Sequence, residues 1–241
     1  MQRAPGFENG DVSFWYRALG LPERRAALPG STDVDVAIVG GGYTGLWTAY
    51  YLKKAQPDLR IAVLEKEFAG FGASGRNGGW LSSEPPGQLR RYAKTHGWPA
   101  AVAMQKEMFA SVDHVIEAAA HEGIQADIQK DGLLHVATNE AQAERMLGRV
   151  PDLRRQGWGE QDLQVLDADG LADRVRIANG RAALWSPHCA RIQPAKLVRG
   201  LSAGVERLGV SIYEGTEVTD IRPHEAVTVH GTVRAAYVVR A

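Results

Sequence analysis

Three glycines in residues 34–45, VDVAIVGGGYTG, have the spacing that leaves backbone N–H groups open to phosphate. Gly40 permits a tight turn, Gly42 permits close approach of a pyrophosphate, and Gly45 lets a following helix pack closely on a sheet. The positive end of the helix dipole favours anions at this place. We expect the phosphates on the first N–H groups, those of Gly42, Tyr43 and Thr44.

The elements around this turn complete the pattern of a dinucleotide site. The run Val34–Val39 is β-branched and apolar, which is typical of a parallel strand covered on both faces. Residues 45–56 predict a helix, and Leu59–Leu64 predicts a second strand. Glu65 follows Gly45 by the spacing at which a carboxylate accepts hydrogen bonds from a ribose diol. Its charge disfavours a 2′-phosphate, but it does not separate NAD from FAD.

A second glycine cluster lies directly downstream. Residues 70–79 contain five glycines, so they predict an irregular loop that something approaches closely. Arg76 offers a charged donor fork for phosphate oxygens, and Ser74 and Asn77 offer neutral hydrogen bonds. A flexible surface loop with an exposed arginine is the alternative. A simple NAD site needs no such loop at this place, whereas the longer FAD does.

GGGYTGL followed by GFGASGRNGG resembles the FAD-dependent D-amino-acid oxidase and sarcosine/glycine oxidase superfamily, especially its γ-glutamylputrescine oxidase branch. The resemblance implies FAD, a small amine or amino-acid substrate, hydride transfer from a C–N carbon to flavin N5, and O2 or another electron acceptor. It places Lys66 with Glu65 at the adenosine ribose, Gly78 and Gly79 beside the flavin ring, and Val218 at the adenine. The implied cofactor-binding residues are Gly40, Gly41, Gly42, Tyr43, Thr44, Gly45, Glu65, Lys66, Gly72, Ala73, Ser74, Arg76, Asn77, Gly78, Gly79 and Val218.

The expected fold class is α/β, a Rossmann-like FAD-binding domain of the GR2 type with an inserted, incomplete α+β substrate domain. Residues 1–80 and 190–241 are expected to form the FAD-binding domain without its C-terminal part, and 81–189 a partial substrate domain. In the latter, Ala126–Lys130 and Leu133–Ala137 predict a β-hairpin through Asp131-Gly132.

Further helices and strands complete the expected organisation. Residues 99–122 predict a helix in the substrate domain. A helix from Pro194 and a third parallel strand at 210–213 are expected to return the chain to the first domain.

Composition excludes several other classes. Twenty-eight basic and twenty-eight acidic residues give zero formal charge, which argues against nucleic acid and anionic membranes as partners. Cys189 is the only cysteine, so no internal disulfide forms and a cytoplasmic location is expected. His114 and His121 have no third ligand at suitable spacing, so no metal site is expected. No apolar stretch is long enough for a membrane span.

No catalytic residue is assigned from these residues. In the resembling family, a long segment with much of the substrate site follows the last strand seen here, so we expect an N-terminal fragment. Two other functions stay open: a remnant that binds FAD without turnover, and an NAD-linked dehydrogenase that shares the nucleotide fold. GASGRNGG, at residues 72–79, argues against the latter.

Overall fold

Eleven strands, seven α-helices and one turn of 3₁₀ helix (Ala73–Gly75, within the loop predicted at 70–79) lie in the part of the chain that the structure, a computed structural model, describes: residues 12–85, 87 and 89–241. In chain order they are α1 (Tyr16–Leu19), β1 (Thr32–Val39), α2 (Tyr43–Ala55), β2 (Ile61–Leu64), β3 (Trp80–Ser82), α3 (Leu89–His121), β4 (Leu133–Ala137), α4 (Glu140–Gly148), α5 (Val150–Arg155), β5 (Gln164–Leu166), α6 (Ala168–Arg174), β6 (Ala182–Ser186), β7 (Cys189–Arg191), α7 (Pro194–Arg207), β8 (Ser211–Tyr213), β9 (Val218–Arg222), β10 (Glu225–Thr228) and β11 (Gly231–Arg240).

Contacts divide the chain into two compact units. Of the described residues, the first contains those up to Gly79, Ala118–Asp127 and Gln193–Ala241, and the second contains those within Trp80–Glu117 and Ile128–Ile192. Residues 118–127, which the sequence placed in the substrate domain, pack with the first unit. Glu122 anchors them there, because its carboxylate accepts from Tyr50 at 3.2 Å and from Arg207 at 2.9 Å.

The first unit is built on a six-stranded sheet with the order β8-β2-β1-β11-β10-β9. The four strands β8, β2, β1 and β11 are parallel to one another. The last two strands, β10 and β9, are added antiparallel at the β11 side. The predicted strand-turn-helix-strand unit is therefore confirmed as β1, α2 and β2. The strand expected at 210–213 is β8, and it is the third parallel strand, as the crossover rule predicted.

Both faces of this sheet are covered, which explains its apolar strands. Alternate β1 residues point to opposite faces, so Ile38 joins one core and Ala37 the other. Side chains from α2 and α7, among them Leu46 and Leu201, complete the first core. Leu28 and Ala226 belong to the second. The near-continuous β-branched run of β1 is thus the composition that two buried faces require.

Helix α7 begins and ends as the sequence indicates. Pro194 occupies its first turn, and the Gln193 side chain caps it by accepting from the Lys196 N–H at 2.8 Å. Gly209 follows the last turn and donates its N–H to the Glu206 carbonyl.

The second unit holds two antiparallel sheets, β3-β7 and β4-β6-β5. The predicted hairpin through Asp131-Gly132 is wrong. β4 pairs with β6, while of Ala126–Lys130 only Gln129 forms a bridge, to Arg191. Gly132 has a φ of +84°, and a Cβ there would stand 2.4 Å from the Ser186 carbonyl oxygen. Each flanking segment pairs with a strand far along the chain instead.

Helix α3 covers the predicted 99–122 region and starts ten residues earlier, at Leu89. Its backbone leaves the helical conformation at Gly97, just before Pro99, so Pro99 lies at the start of the second helical stretch as predicted. No helix in the described ranges is both long and apolar enough to cross a lipid bilayer.

The core between the sheet and α7 yields a stability prediction. Leu201 is fully buried, and truncating it to alanine removes apolar contacts and leaves a cavity. We expect Leu201→Ala to lower the free energy of unfolding by about 2–5 kcal/mol. Leu21→Ala is the matched control, because Leu21 is 48% exposed and its loss should change stability by less than about 0.5 kcal/mol. Urea unfolding followed by circular dichroism measures both, and equal effects would contradict the assigned core.

Candidate cofactor-binding site

The turn between β1 and α2 needs glycine for steric reasons. A Cβ on Gly45 would stand 2.1 Å from the Gly40 carbonyl oxygen, far inside any real contact. Gly40 itself has a φ of +111°, which L side chains rarely adopt. The chain therefore turns sharply from the strand into the helix, and α2 starts directly at the carboxyl end of β1 with Gly42 as its N-cap residue.

Glu65 is held against this turn by two backbone donors. Its Oε2 accepts the Gly41 N–H at 2.7 Å, and its Oε1 accepts the Glu67 N–H at 2.9 Å. A carboxylate oxygen has lone pairs beyond one hydrogen bond, so both oxygens can still accept from a ribose hydroxyl. The predicted acid thus lies next to the predicted phosphate turn and has a fixed orientation.

The structure also brings the second glycine cluster to the first. Gly70 donates its N–H to the Gly41 carbonyl at 2.9 Å, and the Ser74 hydroxyl accepts the Tyr43 N–H at 2.8 Å. First-turn N–H groups have no partner inside a helix, so Ser74 satisfies one of them. The Ser74 hydroxyl proton then remains available to donate to an anion at the start of α2.

Arg76 is held through its Nε and its ring contact, which leaves the two terminal guanidinium nitrogens free to donate. Its Nε donates to the Phe71 carbonyl at 2.6 Å, and its guanidinium lies over the Phe71 ring at 4.3 Å. In the described part of the chain, its two terminal nitrogens make no hydrogen bond. The side chain is exposed, so these N–H groups can reach phosphate oxygens, as the sequence predicts.

Asn77 uses its side chain within the loop. Its Nδ2 donates to the carbonyls of Ala73 and Ser74 at 3.3 and 3.0 Å, and its Oδ1 accepts the Gly79 N–H at 2.9 Å. The neutral hydrogen bond expected from Asn77 to phosphate is therefore replaced here by bonds that hold the loop closed. Its role toward a cofactor stays a prediction.

The space around the glycines of the second cluster shows whether a cofactor fits. A Cβ on Gly75 would stand 2.2 Å from the Gly70 carbonyl oxygen, so the fold itself requires glycine there. At Gly72 and Gly78 a Cβ would meet nothing within 4 Å, and neither has a positive φ. Nothing in the protein demands glycine at these two positions. Free space beside a phosphate-binding loop is what a passing FAD would need, so the residues fit the group.

The two predicted residues Lys66 and Val218 lie near Glu65. Thr216 donates its N–H to the Glu65 carbonyl at 2.8 Å, and Val218 begins β9 two residues later. Lys66 pairs with Glu217 at 2.7 Å in an exposed ion pair, and this hydrogen bond raises the pKa of Lys66. The acid, the lysine and the strand expected at the adenine are therefore neighbours.

Tyr43 carries a role that the sequence did not reveal. Its hydroxyl donates to the Pro194 carbonyl at 2.9 Å, which ties the start of α2 to the start of α7. Burial raises the pKa of Tyr43 well above its usual value. No local pattern signals this contact, because its partners lie 151 residues apart.

The second unit contains its own concave site, a cavity of about 930 Å³ whose lining includes Gln105, Arg145 and His188. His188 Nε2 lies 2.8 Å from an Asp162 oxygen, a pair that sequence reasoning missed. The Phe109 ring stacks on the imidazole with centroids 4.0 Å apart. In the described chain, the buried His188 Nδ1 has no hydrogen-bond partner.

Cys189, the only cysteine in the sequence, is buried in the same unit. Trp80 Nε1 donates to its sulfur at 2.6 Å, and burial raises the pKa of the thiol. Among the residues described, no three histidine, cysteine or acidic side chains come together as metal ligands would.

Comparison with known proteins identifies the family. The model of the FAD-dependent oxidoreductase (DAO) family matches residues 35–241, from the first strand of the nucleotide fold onward. The chain belongs to this family. FAD is the cofactor of the DAO family.

Individual relatives match most of this chain. γ-Glutamylputrescine oxidoreductase of Escherichia coli K12 is 33% identical over 212 residues, which are 87% of this chain and 49% of that protein. L-2-hydroxyglutarate dehydrogenase of Caenorhabditis briggsae is 27% identical over 198 residues, covering 80% of this chain and 41% of that protein. The crystal structure of glycine oxidase from Geobacillus kaustophilus matches with a TM-score of 0.68 and 28% identity, over 87% of this chain and 55% of that one. The chain spans about half the length of the curated relatives it matches.

The contact at Gly45 predicts a loss of cofactor binding on substitution. Gly45→Ala pushes a methyl group into a backbone carbonyl, and no rotamer change relieves that clash. We expect the Kd for FAD to rise roughly tenfold or more, since such overpacking costs about 1–3 kcal/mol. Gly30→Ala is the control, because a Cβ there meets nothing within 4 Å. Quenching of flavin fluorescence measures both, and similar Kd values for the two variants would contradict the steric argument.

A second prediction concerns the Ser74 hydroxyl. Ser74→Ala removes the acceptor for the Tyr43 N–H and the proton that we expect to reach phosphate. A hydrogen bond to a charged group contributes about 1.5–3 kcal/mol, so the Kd for FAD should rise about tenfold to a hundredfold. Thr48→Ala removes a hydroxyl that only bonds within α2, to the Thr44 carbonyl, and should leave the Kd unchanged. An unchanged Kd for Ser74→Ala would show that the hydroxyl does not bind the cofactor.

Proposed function

We propose that the protein is the FAD-binding portion of an oxidoreductase that oxidises the C–N bond of a small amine or amino acid. The observation that carries the proposal is the joined pair of glycine clusters beside Glu65. Gly41 bonds both the acid and Gly70, and the free fork of Arg76 lies in the same loop. This donor set suits a cofactor with a ribose, a pyrophosphate and a further group.

The residues divide the work of holding FAD. The N–H groups of Gly42 and Thr44, the Ser74 hydroxyl and the Arg76 fork bind the pyrophosphate, while Glu65 binds the adenosine ribose. The Tyr43 N–H, expected from the sequence to bind phosphate too, donates to Ser74 instead. Gly72 and Gly78 leave room for the ribityl chain and the flavin ring. When bound, FAD supplies two-electron oxidation by accepting a hydride at flavin N5. The protein orients the substrate carbon and keeps water away from it.

The substrate class rests on the relatives. Two of them, γ-glutamylputrescine oxidoreductase and glycine oxidase, are named for compounds that contain a C–N bond. L-2-hydroxyglutarate dehydrogenase is named for a hydroxy acid and is less similar, at 27% identity. Oxidation of the amine carbon gives an imine, which water converts to a carbonyl compound and ammonia, or an amine where the substrate nitrogen carries a second carbon. We propose O2 or another small acceptor for the electrons, no nucleic-acid partner, and a cytoplasmic location.

The domain roles are part of the same proposal. The first unit holds the nucleotide, and we propose that the second unit, with its cavity at His188, is part of the substrate domain. No catalytic acid or base is proposed.

Cofactor titration and turnover test the proposal separately. Purified protein is titrated with FAD, and with NADH as the competing dinucleotide, each followed by its own fluorescence. We expect saturable FAD binding and no comparable NADH binding. The FAD-loaded protein is then mixed anaerobically with a panel of small amines, amino acids and 2-hydroxy acids, and the flavin absorbance is recorded.

Each outcome has a distinct meaning. Bleaching by an amine or amino acid supports C–N oxidation, and bleaching only by hydroxy acids would replace it with C–O oxidation. FAD binding without bleaching by any substrate would favour a chain that holds FAD but turns nothing over. The match to the γ-glutamylputrescine oxidoreductase covers only 49% of that protein. Binding of NADH in preference to FAD would overturn the cofactor assignment.

A further inference from the structure

Glu214 is a fully buried carboxylate directly after β8. It accepts three hydrogen bonds, from the Arg25 backbone N–H at 2.7 Å, from Arg25 Nη1 at 2.8 Å and from the Ala69 N–H at 2.8 Å. A buried charge is costly unless it is paired and its lone pairs are satisfied, and here both conditions hold. Removing one partner would leave the rest of the cluster uncompensated.

Arg25 connects this carboxylate to helix α7. Its Nε and Nη2 donate to the two oxygens of Glu206 at 2.7 and 2.6 Å, and Nη2 also reaches Ser202 at 3.1 Å. Burial lowers the pKa of Arg25, but the bonds to Glu206 and Glu214 outweigh it and the pKa is raised overall. The guanidinium fork thus bridges α7 and the segment after β8.

The third partner of Glu214 leads to the cofactor site. Ala69 precedes Gly70, whose N–H binds the Gly41 carbonyl in the phosphate turn. Gly70 has a φ of +85°, and a Cβ there would stand 2.3 Å from a methyl group of Val198. The path from Glu214 to the phosphate turn therefore has little freedom, and a shift at Ala69 moves the start of the second glycine cluster.

The N-terminal segment, residues 12–31, also holds the far side of that cluster. The Ser13 hydroxyl donates to the Gly75 carbonyl at 2.9 Å, and Trp15 Nε1 donates to the Asn77 carbonyl at 2.7 Å. These two bonds flank Arg76, the predicted phosphate fork. One segment thus touches the loop at 75–77 and, through Arg25 and Glu214, at Ala69.

We propose that Glu214 and Arg25 are positioning residues for FAD: the buried ion pair fixes the loop 69–79 against the phosphate turn in the shape that binds the pyrophosphate. The proposal rests on FAD as the cofactor of the proposed function and is independent of the substrate. Neither side chain needs to touch FAD. The ion pair acts through Ala69 on one side and through the N-terminal segment on the other.

The test measures FAD affinity and loop protection in the full chain. Glu214→Gln keeps the size of the side chain, removes its charge and places an amide N–H₂ group among the donors. We expect the Kd for FAD to rise about tenfold or more, and the amide protons of residues 69–79 to exchange faster in FAD-free protein. Glu206→Gln removes only the exposed partner of Arg25 and should change the Kd less than twofold.

Leu201→Ala separates positioning from general destabilisation. It lies on α7 in the core, and at a temperature well below its melting point it should bind FAD with a Kd within twofold of the unsubstituted chain. Equal increases in Kd for Leu201→Ala and Glu214→Gln would overturn the proposal, as would an unchanged Kd for Glu214→Gln. If Glu214→Gln fails to fold, Arg25→Lys carries the same test, because it keeps the charge but loses the fork. Failure of the unsubstituted chain to bind FAD would overturn the cofactor assignment itself, whereas lack of turnover with normal FAD binding would overturn only the proposed reaction.

Discussion

The junction at Gly41 is the constraint on which the rest of the site depends. Its N–H binds the Glu65 carboxylate and its carbonyl accepts from Gly70, so one residue joins three segments. A Cβ on Gly41 would stand 3.2 Å from the Glu65 side chain and 3.3 Å from the Ala69 Cα. A side chain on Gly41 would press on both the ribose acid and the second loop, and these neighbours would have to move by a few tenths of an ångström.

The nucleotide fold was predictable from the sequence because its signals are local. Strand β1, the glycine turn, α2 and β2 follow one another within 32–64, and each has its own periodicity or spacing. Both faces of β1 are buried, so its composition alone distinguishes a central parallel strand from a half-exposed one. The α7-β8 crossover was predictable for the same reason, since Pro194 and Gly209 mark the two ends of an amphipathic helix.

The failed hairpin shows the limit of local signals. Gly132 has the positive φ that suits a glycine, but β4 finds its partner in β6, about fifty residues further along. Sequence pattern gives a strand and its exposed face, not the identity of the neighbouring strand. The Arg25–Glu214 pair was missed for the same reason, because its members lie 189 residues apart.

The cradle, meaning the first turn of α2 with Glu65, Ser74 and Arg76, does not discriminate between substrates that are oxidised at different bonds. Its contacts are backbone N–H groups, a hydroxyl, a guanidinium fork and a carboxylate, all suited to the nucleotide part of FAD and none to an amine or an alcohol. That explains why the same stretch of chain matches proteins named for glycine, for γ-glutamylputrescine and for L-2-hydroxyglutarate. Selection among such substrates therefore has to come from side chains outside the cradle. The proposed substrate domain offers such side chains in the cavity that includes His188, whose Nε2 lies 2.8 Å from an Asp162 oxygen.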